Sequence, residues 1–178
     1  MLNRSVRDRS HGWRLLGLAL AGAYLAGGAP LAGAAEAPAS TRAPRPPGLV
    51  ILLRSESVNG ALQVGVFGAK ADPLRPGLWS VQVWEETNER ITIATDRIAC
   101  SPTAPMRITG SGSQLLVREL NPGGMIVPAN RLDHLIWWAV CHPAQAGRDP
   151  AGLGGIARQL GYSGQLQERQ QQLQAPRP

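Results

Sequence analysis

At 178 residues the chain has room for one domain of ordinary size with a real core, and not for two. Its net charge of +6 comes from 18 basic and 12 acidic side chains, but residues 1–35 hold four arginines and one aspartate, leaving 14 against 11, or +3, in the rest. With no basic run and no aromatics interleaved among cations, that remainder excludes nucleic acid as a partner.

The chain opens with Arg4, Arg7, Arg9 and Arg14, then an apolar stretch from Leu15 to Leu31, then Ala32-Gly33-Ala34. Basic leader, apolar core and small-residue site are the order of a secretory signal peptide over residues 1–35, cut before Ala35 or Glu36. The alternative is a leader retained as an anchor, since the apolar run reaches spanning length if residues 33–35 are counted. Cleavage, which the glycines and the late Ala-x-Ala favour, implies a periplasmic or secreted protein with no stable membrane insertion. Residues 36–47, rich in Pro and Ala with little to bury, read as an extended linker.

Order is expected over residues 48–161. Leu49-Val50-Ile51-Leu52-Leu53 is a short apolar β-type run, and in residues 61–67 Leu62, Val64 and Val66 alternate with Gln63 and Gly65. Asn59-Gly60 between them is a hairpin signal, because both residue types tolerate positive φ. After a Pro/Gly-rich loop, residues 78–85 alternate again through Trp79, Val81 and Val83, and end near Trp84. A polar turn precedes a strand from Ile91 to Cys100. Pro102 and Pro105 interrupt it, since proline cannot donate to a ladder. Met106-Arg107-Ile108 and Leu115-Leu116-Val117 flank a glycine-serine turn, and Met125-Ile126-Val127 reads as a last edge strand. Short strands at about ten-residue spacing, with turns and no helices between them, predict an antiparallel meander of about five to six strands.

Asn130 then reads as a helix N-cap with Asp133 in the first turn. Leu132, Leu135, Ile136, Ala139 and Val140 make one apolar face, while Trp137 and Cys141 lie on another side. Such a helix must be covered on most of its circumference. Residues 149–161 suggest a second, weaker helix with Asp149 as cap and Gly161 as stop. Residues 162–178 are Gln-rich and polar and read as a flexible tail.

Both cysteines, Cys100 and Cys141, fall in the exported part, so a disulfide is the default, contributing about 4 kcal/mol by loop entropy. A metal site or a reactive thiol lacks the neighbours it needs. The fold class is therefore α+β: one antiparallel sheet with a C-terminal helix packed on it and tied by Cys100–Cys141.

The residues that invite chemistry have plainer readings. His134 and His142 lie about two turns apart on one helix side, but a metal needs a third ligand, so both read as structural. Gly110-Ser111-Gly112 lacks the spacing of a nucleophile elbow. Gly152-x-Gly154-Gly155 has no buried strand before it to make a phosphate loop. No catalytic, cofactor or metal site is expected. Trp84 and Trp138 are the candidate binding surface, against a reading in which one ring of the Trp137-Trp138 pair packs inside and the other lies at the rim.

The run from Ile51 to Val58, Ile98-Ala99-Cys100 followed by Met106-Arg107-Ile108, and Pro128-Ala129-Asn130 with a helix ending Ala139-Val140-Cys141 together resemble the surface-adhesin protein E family of exported bacterial proteins. The resemblance spans residues 48–141. It implies an antiparallel sheet with a C-terminal helix held by the same disulfide, and a role in binding host matrix or serum proteins. Two departures stand out: no cysteine precedes Cys100 to take a lipid anchor, and Ala99 stands where the family commonly has Asp. The expectation is an exported, non-enzymatic, adhesin-like binding module with an envelope or host protein as partner. The alternative is a structural or accessory periplasmic domain of an envelope complex.

Overall fold

The computed structural model describes residues 44–57, 60–88 and 90–174. The signal-peptide assignment, most of the linker, Asn59 of the first turn and the last four residues lie outside them. Seven strands form one antiparallel sheet in sequence order: β1 (Val50–Ser57), β2 (Gly60–Ala71), β3 (Leu78–Thr87), β4 (Ile91–Ala99), β5 (Met106–Ser111), β6 (Gln114–Glu119) and β7 (Arg169–Gln174). The helix α1 (Pro128–Cys141) and the shorter α2 (Gly154–Gln159) lie between β6 and β7, so α1 is not the last element of the fold.

The alternation read from the sequence sets the two faces. Leu62, Val64 and Val66 on β2, Val81 and Val83 on β3 and Ile98 on β4 point to the side where α1 packs, and form one cluster with Leu135, Ile136, Trp137 and Val140. Fully burying side chains of this size stabilises by about 1.5–3 kcal/mol each. On the opposite face, Ile51, Gly65, Trp84 and Ile93 share one cross-strand row. A side chain at position 65 would meet the Val50 carbonyl at 2.7 Å and Leu49 Cδ1 at 2.9 Å, so glycine lets the incoming chain cross the sheet there.

Four expectations are corrected. The sheet has seven strands rather than five to six, because part of the supposed flexible tail pairs with β6 from Glu119↔Arg169 to Gln114↔Gln174. Met125-Ile126-Val127 is not a strand: β7 occupies the edge of β6, and the Val127 N–H is drawn to Asn130 Oδ1 at 2.8 Å. The helix accordingly begins earlier, with Pro128 in its first turn, where its missing N–H costs nothing. The weaker helix divides into a 3-10 turn, Pro150–Gly152, capped by Asp149 as expected, and α2.

Cys100 and Cys141 are bonded across 41 residues, joining the end of β4 to the last turn of α1. Replacing both by serine is expected to lower the unfolding free energy by about 4 kcal/mol, read as a lower urea midpoint. An unchanged midpoint would show that the bond adds nothing to the packing of this corner.

Candidate functional site

Three polar arrangements surround α1. The first lies under its N-terminal half. Arg107 on β5 is nearly buried, and its guanidinium reaches two carboxylates: Asp96 of β4 at 2.7 Å and Asp133 of α1 at 2.6 Å. Arg118 on β6 adds a longer contact to Asp133 at 3.4 Å. Cross-strand pairing accounts for the geometry, since Arg107 and Arg118 face each other on adjacent strands and both project toward the helix. A groove of about 410 Å³ beside them is lined by Thr109, Ala129 and Leu132 as well as the charged groups. Burial holds Asp96 above the usual carboxylate range, with Arg107 working in the other direction. Asp133 is thus not a first-turn residue serving the helix dipole; it ties the middle of α1 to the sheet.

The second arrangement holds the tail. Glu168 accepts hydrogen bonds from His134 Nε2 at 2.7 Å, Asn130 Nδ2 at 2.8 Å and the Asn121 backbone N–H at 3.1 Å. Asn121 also donates to the Gly164 carbonyl and accepts from the Leu166 N–H, both at 3.1 Å, in the manner of a neighbouring strand. These bonds feed the chain into β7. His134 is fully buried, and its Nδ1 has no hydrogen-bond partner among the described residues.

The third lies at the disulfide. Trp137 Nε1 donates to the Ala99 carbonyl at 2.9 Å, and the Tyr162 hydroxyl donates to the Cys100 carbonyl at 3.1 Å. That hydroxyl proton being committed, His142 Nε2–H is the donor in its 3.1 Å contact with Tyr162. Trp137 meets Trp138 and Tyr162 edge to face at 5.2 and 5.0 Å. Burial pushes His142 below the ordinary histidine value of 6.5.

The two proposed surface tryptophans are both 1% exposed. Trp138 belongs to the core beside Trp137, so neither ring of the pair is at a rim. Trp84 is on the opposite face, beneath the segment entering β1: the guanidinium of Arg45 sits 5.4 Å from its ring centre and bonds Glu86 Oε2 at 3.2 Å and Gln63 Oε1 at 3.0 Å. The end of the supposed linker is therefore docked. His134 and His142 are not brought to a common site. Among the described residues no three of His, Cys, Asp and Glu converge to hold a metal ion, and no helix is long and apolar enough to cross a membrane. No family model, curated protein or solved structure matches the chain.

Arg45, Glu168 and Asn121 escape a reading by motif. Glu86 carried the one available signal, a carboxylate in register with Trp84 on a strand whose other face is apolar.

Two measurements test this account. Arg107→Met leaves two buried carboxylates without their main cation and should cost about 3–5 kcal/mol at neutral pH. A carboxyl raised on folding is stabilising while protonated and loses that contribution as pH rises through its folded value. The deficit should therefore shrink on going from about pH 8 to about pH 5, and equal deficits at both would count against the assignment. For His142 the sign is reversed. Its stabilising contribution is complete above 6.5 and is lost as pH falls through its lower folded value, so its imidazole signals should titrate with a midpoint below 6.5.

Proposed function

We propose that the protein is an exported, non-enzymatic binding module, adhesin-like in role, that engages an envelope or host protein through the face of its sheet turned away from α1. The observation that carries this reading is the asymmetry of the sheet. One face lies under α1. The other presents Ile93 of β4 at 54% and Leu173 of β7 at 47% exposure, with Ile108 and Val117 half-buried on the two strands between them. Large apolar side chains exposed on the sheet face that the helix leaves uncovered are what a protein partner would bury. The disulfide supports export, since such bonds persist in oxidising compartments. The resemblance to surface-adhesin protein E points the same way.

A second reading, an accessory domain of an envelope complex, is favoured by β7. Its side chains are all exposed, it carries no charge from Gln170 to Gln174, and among the described residues no strand pairs with its outer edge, which could take an added strand.

A photo-crosslinking residue placed at Ile93 or Leu173 in the exported protein should give protein adducts. The same residue at Leu160, similarly exposed but beyond α2, should not. Equal labelling from the three positions would overturn the open-face reading. Recovery of the protein only from the cytoplasm would overturn export.

A further inference from the structure

Trp84, Glu86 and Gln63 form a group with one recognisable chemistry. Trp84 and Glu86 are alternate residues of the interior strand β3 and share its outer face, and Gln63 of β2 lies directly opposite Glu86. The indole offers a π face, the carboxylate a negative charge and the amide a carbonyl oxygen. A planar cation with several N–H donors satisfies all three at once, which describes a guanidinium. The chain's own Arg45 occupies the position, stacked 5.4 Å from the ring and bonded to both Glu86 and Gln63.

Receptor and occupant are held very differently. Trp84 and Glu86 are 1% and 2% exposed and fixed in a strand paired on both sides. Arg45 is half exposed, its side chain at 48%, and sits in a proline-rich run (Pro44, Pro46 and Pro47) outside any strand or helix. We propose that this is an arginine-binding site, filled in the isolated protein by its own N-terminal strap and taken over by an arginine in an extended segment of a protein partner. A partner so equipped trades one guanidinium for another, so the buried carboxylate never loses a cation. Ile93, in the same row as Trp84 and exposed, supplies the adjoining apolar contact. The inference deepens the open-face reading, and it can fail separately from it.

The test uses the full chain with its disulfide intact, as wild type, Arg45→Gln and Arg45→Lys. The probe is a synthetic peptide with the chain's own sequence 43–47, acetyl-Ala-Pro-Arg-Pro-Pro-amide, and a copy with citrulline in place of arginine. The readout is the indole N–H resonance of Trp84. Saturable binding to Arg45→Gln is expected, about tenfold weaker in wild type, where the strap competes, and about tenfold weaker again for the citrulline copy. Arg45→Lys should fall between the two proteins. No saturable shift in a folded Arg45→Gln, or equal binding of the two peptides, would overturn the proposal. So would loss of the folded spectrum in both variants, which would make Arg45 a fixed structural post. Crosslinking from Ile93 and Leu173 would stand through any of these failures. If instead that crosslinking fails, the titration still reports on the arginine site.

Discussion

Residues Asp133 to Val140 of α1 are all buried, and eight consecutive positions take in every side of a helix. A single sheet face can cover only one of those sides, so the remainder of the fold is an answer to the other. Leu153, Ala157 and Tyr162 pack into the same cluster from the segment that follows the helix. Gly123 permits the approach: with φ at +86°, it brings the turn after β6 so near Ala157 that a side chain there would stand 2.6 Å from the alanine methyl. The polar bonds are placed where this covering layer meets the helix. The disulfide and the Trp137 and Tyr162 hydrogen bonds fix the C-terminal end, Arg107 grips the middle through Asp133, and Glu168 joins Asn130 and His134 to the returning chain.

That division explains which parts of the molecule could be read from the residues. Alternation on β2 and β3 and the i, i+3, i+4 pattern on α1 are local signals, and the elements they mark are present. The cysteine pair was legible from its even count together with the expectation of export. β7 was not, because Arg-Gln-Gln-Gln-Leu-Gln has neither a β-branched residue nor a clear alternation. What makes it a strand is outside it: the open edge of β6, and Asn121 and Glu168 delivering the chain to that edge. The start of α1 was misplaced for a related reason. Asn130 has the chemistry of a cap, but it performs the task from inside the first turn by holding the Val127 N–H.

The tryptophans show the limit of reading exposure from residue type. Trp138 follows Trp137 by about 100° around the helix, which would put it at a rim if only the sheet covered α1. The second layer closes over it. Trp84 follows the inward-facing Val83 and so must face away from α1, where a ring of its size would be open to water. It is covered because residues 44–49 pass over it, a contact that rests on Arg45, Gly65 and Leu49 rather than on any strand pattern.

The same three residues give the outer face two distinct halves. Toward β1, a charged and an aromatic group are buried under a short strap of chain. Toward β7, Ile93 and Leu173 stand in solvent. Buried carboxylates on the two faces are also satisfied in different ways. Asp96 and Asp133 are matched to Arg107, which is itself locked in a strand and nearly buried, so the pair is part of the packing. Glu86 is matched to an arginine from an element with no ladder of its own. Desolvation makes a cation necessary at both places; among the described residues, Arg107 stands in a strand paired on both sides, whereas Arg45 stands in a run with no strand or helix of its own. The outer face of β3 therefore holds its buried carboxylate beneath a strap of chain rather than within the packed layers.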